Sequence, residues 1–231
     1  MRCAIVTGAS AGIGLATARR FAAEGYRTIN LSRRPCPAAE VQHLACDLGD
    51  PEFLSAVEAE LSRHTDGATQ LVLIHNAASM YNDSATSTAS ADLRRVFEVN
   101  LVAPNSLNRF AIPRMRPGSA ILYVGSTLSE KAVPGSFSYV TSKHAMVGMM
   151  RATCQDLAGS GIHTACICPG FTDTEMLREH VGTESLGLVQ RLSAFGRLIE
   201  PEEIAEMLFW SAGNPVINGA VLHANLGQIE R

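Results

Sequence analysis

The sequence predicts an α/β fold, a parallel sheet covered by helices on both faces. Three observations carry this. Short apolar runs alternate with amphipathic runs throughout, and strand–helix alternation implies right-handed crossovers and a parallel sheet. A glycine-rich turn follows the first apolar run at once. No repeat, low-complexity tract or linker interrupts the pattern, so the 231 residues read as a single domain.

Residues 2–7, Arg-Cys-Ala-Ile-Val-Thr, read as a short buried strand. Gly8, Ala9, Ser10, Ala11, Gly12, Ile13 and Gly14 follow, then an Ala-rich amphipathic run from Leu15 to Glu24. Strand, glycine-rich turn and helix together point to nucleotide binding. Gly8 permits the tight turn. A side chain at position 12 would keep the backbone from a pyrophosphate, and Gly14 lets the helix pack on the strand. The helix N-terminus offers free N–H groups and a positive dipole end to phosphate. Further strands are predicted at 27–32, 41–46, 70–75, 119–125, 162–168 and 219–223, and helices at 51–64, 90–113, 138–158 and 201–212. Only Arg33 to Glu40 separate the second and third strands. A crossover with its helix needs about 10–12 residues, so that helix is one turn or missing. Residues 175–198 are less regular; Met176, Leu177, Val181, Leu186, Leu188, Val189 and Leu192 suit two short helices.

Composition narrows the function. Hydrophobic residues are 46% and charged residues 18%, a globular balance. A formal charge of −3 argues against a nucleic-acid footprint. No apolar run reaches the ~18 residues of a membrane span, and the first apolar stretch ends in the glycine turn, unlike a signal peptide. Six cysteines are scattered. Cys166 and Cys168 share a strand face, which makes metal binding conceivable. No C-x-x-C pair or nearby histidine completes a ligand set, so a reduced cytoplasmic core and no metal are expected.

The chemistry centres on Tyr139, Lys143 and Ser126. On a helix, Tyr139 and Lys143 stand four apart on one face. A phenol ionises at about 10, and a neighbouring ammonium favours the phenolate. Such a tyrosine exchanges a proton with a carbonyl or alcohol oxygen. Ser126, thirteen residues before the tyrosine, adds a hydroxyl to the same oxygen.

Together these segments resemble the short-chain dehydrogenase/reductase family over nearly the whole chain. Thr7 to Gly14 resembles its TGxxxGIG. Asn76-Ala77-Ala78 resembles its NAG motif, with alanine for glycine. Asn100 stands where the family has its catalytic asparagine, and Ser126, Tyr139 and Lys143 match the other catalytic residues. Pro169-Gly170-Phe171-Thr172-Asp173-Thr174 resembles PGxxxT. Gly196-Arg197 and Pro201 to Ala205 resemble the start of the last large helix. The resemblance implies a Rossmann-type doubly wound sheet of seven strands in the order 3-2-1-4-5-6-7. It also implies that residues 175–198 cover the substrate.

The second strand ends Ser32-Arg33-Arg34. Ser32 occupies the position where NAD-dependent relatives carry aspartate, and Arg33 follows where NADP-dependent ones place arginine. A guanidinium binds phosphate with paired hydrogen bonds, so NADP(H) is the expected cofactor. The family's other basic contact is absent, because position 11 is alanine. Asp47-Leu48 resembles the pair that meets the adenine. Pro169, Gly170 and Thr172 are expected to hold the carboxamide, and Thr174 the carboxamide or phosphate. The resemblance assigns Lys143 to the nicotinamide ribose and to lowering the pKa of Tyr139. It assigns Asn100 to a water that links Lys143 to solvent.

The substrate expected is a small carbonyl or alcohol compound. Met80, Tyr81, Leu128, Phe137, Phe171 and Met176 are candidate pocket residues and suggest an apolar one. Two other readings compete: an NADP(H)-binding redox sensor without turnover, and an interaction scaffold. The intact tyrosine, lysine and serine favour an enzyme. Ala145, Met149 and Ala152, opposite the catalytic face, suit close helix packing in a homodimer or homotetramer.

Overall fold

The computed structural model describes residues 1–229. Seven strands, β1 (Arg2–Thr7), β2 (Arg27–Ser32), β3 (Gln42–Ala45), β4 (Gln70–His75), β5 (Ala120–Val124), β6 (His163–Pro169) and β7 (Ala220–Ala224), form one parallel sheet. Its order is β3-β2-β1-β4-β5-β6-β7, as the resemblance implied. Eight α-helices accompany it among the described residues: α1 (Gly12–Ala23), α2 (Phe53–Thr65), α3 (Ser90–Phe97), α4 (Ala103–Ala111), α5 (Phe137–Asp156), α6 (Glu175–Val181), α7 (Leu186–Gln190) and α8 (Pro201–Ala212).

The central strands are apolar on both faces, and each face has its own core. Ile5, Ile29, Leu73, Ile121 and Tyr123 point toward α2, α4 and α5, meeting Leu61, Leu107 and Met146. Their sequence neighbours Ala4, Val6, Val72, Ile74 and Leu122 point the other way, toward Phe21 of α1 and Leu208 of α8. The period of two along each strand divides these residues between the layers.

Two departures from the sequence reading have physical causes. Helix α1 begins at Gly12, before the apolar periodicity starts at Leu15. Glycines add nothing to a periodic signal. The run predicted as one helix over 90–113 is divided: a π-helical turn, Glu98–Val102, separates α3 from α4. It ends in a 3-10 turn, Ile112–Arg114, that contains Pro113. No helix lies between β2 and β3, as their short connection required. Most other predicted boundaries differ from the observed ones by one or two residues. Every site loop leaves the C-terminal end of a strand: residue 8 after β1, 76 after β4, 125 after β5 and 170 after β6.

Candidate active site

The glycine-rich turn is shaped by backbone needs. Gly8 and Gly12 have φ of 72° and 53°, the left-handed region where a Cβ is strained. A Cβ on Gly14 would overlap the Gly8 carbonyl oxygen. Asn76 Nδ2 donates to the carbonyls of Thr7 (2.8 Å) and Gly8 (3.3 Å). Thr7 Oγ1 accepts from the N–H groups of Asn76 and Ala77. Asn30, unnoticed in the sequence, accepts from the N–H of Ala9 at 2.9 Å and holds the turn from β2. Ala11, at the N-cap of α1, makes no side-chain capping bond. The first turn of α1 therefore keeps N–H groups available to an anion. They border a groove lined by Ser10, Ala11, Gly12, Arg19, Thr174 and Glu175. Ile13 instead packs against the core.

The region expected to face the adenine combines predicted and unpredicted residues. Ser32 Oγ donates to the Arg34 carbonyl (2.7 Å) and accepts from Asn30 Nδ2 (2.9 Å), so its hydroxyl shapes the loop. Asp47 receives Arg95 Nη2 on both oxygens, at 2.9 and 2.8 Å, and the N–H of Gly49 at 3.0 Å. Partial burial pushes its carboxyl up, but Arg95, the Gly49 amide and the charge of Arg33 outweigh this and hold it below the usual range. Arg95 had no motif to reveal it. Leu48 is buried in the core beneath. Arg34 pairs with Glu175 at 2.8 Å.

Ser126, Tyr139 and Lys143 converge where β5 meets α5. Tyr139 is 8% exposed and Lys143 1%. Ser126 Oγ accepts the Leu128 N–H at 3.1 Å, and the Ser126 hydroxyl stands near enough to the Tyr139 phenol to favour its phenolate. Ser129 Oγ accepts the Ser126 N–H at 3.1 Å, which fixes the serine's backbone. Gly125 lies against Cys166 and Cys168, whose sulfurs are 3.8 Å apart. Among the described residues no cluster of three His, Cys, Asp or Glu suits a metal.

The electrostatics correct one expectation. Lys143 Nζ donates to the Val124 carbonyl at 2.7 Å and lies 5.4 Å from the Tyr139 ring centre. Burial pushes the Tyr139 phenol up to about 12, only partly countered by the neighbouring Ser126 hydroxyl. Desolvation, not the lysine, governs Tyr139 in this arrangement. Burial likewise brings the Lys143 ammonium down to about 8.

Asn100 sits within the π turn, fully buried. Its carboxamide accepts from the Ser79 N–H (2.7 Å) and donates to the Ser79 carbonyl (3.0 Å) and Ser142 Oγ (2.9 Å). It thus ties the loop after β4 to α5, one residue from Lys143. Beyond β6, the Gly170 N–H donates to the Ala224 carbonyl (2.9 Å), and a Cβ there would lie 2.9 Å from Asn225. Thr172 is buried and donates to the Gly170 carbonyl at 3.1 Å. Thr174 Oγ1 caps α6 by accepting from Leu177 N–H at 3.2 Å.

A family model described as short chain dehydrogenase matches residues 2–185. The chain belongs to the short-chain dehydrogenase family. It is 33% identical over 241 residues to Protein FixR of Bradyrhizobium diazoefficiens, covering 97% of this chain and 85% of that one. It is 30% identical over 230 residues to carbonyl reductase family member 4 of Xenopus tropicalis, covering 95% and 94%. Among solved structures, a blue fluorescent protein from a metagenomic library, in complex with NADPH, superposes with a TM-score of 0.86 at 27% identity, covering 98% and 97%. Membership makes this short-chain dehydrogenase an oxidoreductase for carbonyl or alcohol groups. The turn at Gly8–Gly14 fits the dinucleotide such enzymes use: left-handed glycines and an uncapped helix end leave backbone N–H groups for phosphate.

Proposed function

We propose that this short-chain dehydrogenase transfers a hydride between NADP(H) and a small carbonyl or alcohol compound, with Tyr139 as the acid/base. The meeting of Ser126 with the buried Tyr139 and Lys143 at the end of β5 carries this reading. When bound, the nicotinamide dinucleotide supplies or accepts the hydride. With its phenol at about 12, Tyr139 holds its proton at neutral pH and gives it to a carbonyl oxygen as negative charge develops there. The Leu128 N–H occupies a lone pair of Ser126 Oγ, which leaves its O–H to stabilise that oxygen. Lys143 is the residue to hold the nicotinamide ribose. With its ammonium at about 8, it is mostly charged at neutral pH. Asn100 acts through Ser142 and Ser79 as a positioning residue for α5. Gly8, Gly12, Asn76, Ala77 and Ala78 border the dinucleotide, and Pro169 to Thr174 its nicotinamide end.

Arg33 and Arg34 supply the preference for a 2′-phosphate; no carboxylate at position 32 opposes it. The one chain acts as a single domain, with residues 175–198 covering the substrate. Six free cysteines suit the reducing cytoplasm. Ala145 and Ala152 are exposed on α5 and suit a homodimer or homotetramer, while Met149 is half-buried against the core.

Screening NADPH oxidation against ketones, diketones, pterin carbonyls and acyl thioesters tests the activity. Tyr139→Phe should abolish turnover while NADPH binding survives. Near-normal turnover in that variant would overturn the proton-transfer assignment.

A further inference from the structure

Arg34 and Glu175 are 141 residues apart in the chain yet share an ion pair of 2.8 Å. Arg34 belongs to the loop after β2, beside the expected 2′-phosphate. Glu175 is the first residue of α6, in the segment expected to cover the substrate. Thr174 Cγ2 would stand 3.0 Å from a Cβ on Gly12, so the start of α6 rests on the glycine-rich turn. Glu175 also lines the groove beside that turn, so the pair joins the loop after β2 to the groove's edge.

Two neighbouring ion pairs are made elsewhere. Arg178 of α6 forks onto Asp173, at 2.6 and 2.8 Å. Asp47 is held by Arg95. Glu175 is the carboxylate that Arg34 meets among the described residues. Both side chains are well exposed, 63% and 59%, so the pair is weakly held and exchangeable. A phosphate dianion is a better partner for a guanidinium than one carboxylate oxygen, because it accepts paired hydrogen bonds and carries more charge.

We propose that Glu175 is a specificity-determining residue, a competitor that a 2′-phosphate must displace from Arg34. This rests on the NADP(H) reading. Displacement has two consequences. It lowers the apparent affinity for phosphorylated cofactors and leaves that for unphosphorylated ones unchanged. It also frees the first turn of α6 from the adenine loop, so the cofactor's phosphate is sensed at the substrate cover.

The test uses the full chain and two probes, adenosine 2′,5′-bisphosphate and adenosine 5′-monophosphate, titrated by calorimetry. Glu175→Gln should tighten the bisphosphate about two- to fivefold, the equivalent of an exposed ion pair, and leave the monophosphate unchanged. In an Arg34→Gln background the same change should do much less. Hydrogen exchange over residues 175–181 should rise when the wild type binds the bisphosphate and not when it binds the monophosphate. If Arg34→Gln weakens the bisphosphate but Glu175→Gln moves neither probe, or both alike, the competition is refuted and the NADP(H) reading stands. If the wild type binds both probes equally and neither Arg33→Gln nor Arg34→Gln matters, both readings fall.

Discussion

Lowering the pH should destabilise this protein through His75, the last residue of β4. His75 is 1% exposed and lies 4.8 Å from Tyr123, ring centre to ring centre. Asn108 Nδ2 donates to the Tyr123 hydroxyl (2.8 Å), so its Oδ1 accepts from His75 Nε2 (2.9 Å). Nδ1 is buried without a partner. Protonating it would place a charge and a second donor where nothing accepts them. Desolvation accordingly brings the imidazole from 6.5 down to about 4, against a smaller opposing effect of Asn108. Above pH 6.5 the ring is neutral whether the chain is folded or not. Below it, the unfolded chain takes up a proton that the native chain refuses. Stability is therefore lost as pH falls from 6.5 toward about 4, where the native ring also protonates. At about 1.4 kcal/mol per pH unit the gap is worth about 3 kcal/mol, of which about 2.5 kcal/mol is gone by about pH 4.5. The perturbation is His75→Gln, whose amide can donate to Asn108 and does not titrate. Urea unfolding of both proteins between about pH 7 and 4.5 is the assay. The difference in stability between wild type and variant should shift by about 2.5 kcal/mol in favour of the variant, other groups cancelling. A difference that stays flat with pH would refute the reasoning.

Gly125→Ala would place a Cβ 2.7 Å from the sulfurs of Cys166 and Cys168 and 2.9 Å from Ser129 Oγ. Overpacking of this kind should cost about 1–3 kcal/mol in chemical unfolding, and adding Cys168→Ala should restore part of it; no recovery would rule out crowding by the thiol. Ser129→Ala removes the acceptor of the Ser126 N–H. It should lower kcat about tenfold, less than the about 10²–10³ for losing an oxyanion donor directly, with NADPH affinity unchanged. Equal losses in kcat and cofactor affinity would instead mean a general distortion. In the free protein the Tyr139 phenolate should form only near pH 12, read as the tyrosinate absorbance of wild type minus Tyr139→Phe; ionisation below the ordinary phenol value of about 10 would contradict burial as the governing effect.

The sequence by itself determined the sheet and the residues proposed for catalysis. Short continuous apolar runs such as Ala4-Ile5-Val6 and Leu71-Val72-Leu73-Ile74, bounded by turns and alternating with amphipathic helices, suit strands covered on both faces. Tyr139 and Lys143 need only a helix to share a face, and Gly8 and Gly12 only a turn to show their value. These are local facts, carried by spacing of a few residues. Tertiary structure decided what depends on partners far away in the chain. Arg95 reaches Asp47 across 48 residues, Asn30 reaches Ala9 across 21, and Glu175 reaches Arg34 across 141. The π turn at Asn100 leaves no periodic trace because the apolar pattern continues through it. The direction of the Tyr139 shift was misjudged from sequence for the same reason. Spacing brings an ammonium near a phenol, but only the packed structure shows that Lys143 is turned to the Val124 carbonyl and that water is excluded from the ring. Electrostatic energies follow from desolvation and distance in three dimensions, and neither quantity is encoded in the separation of two residues along the chain.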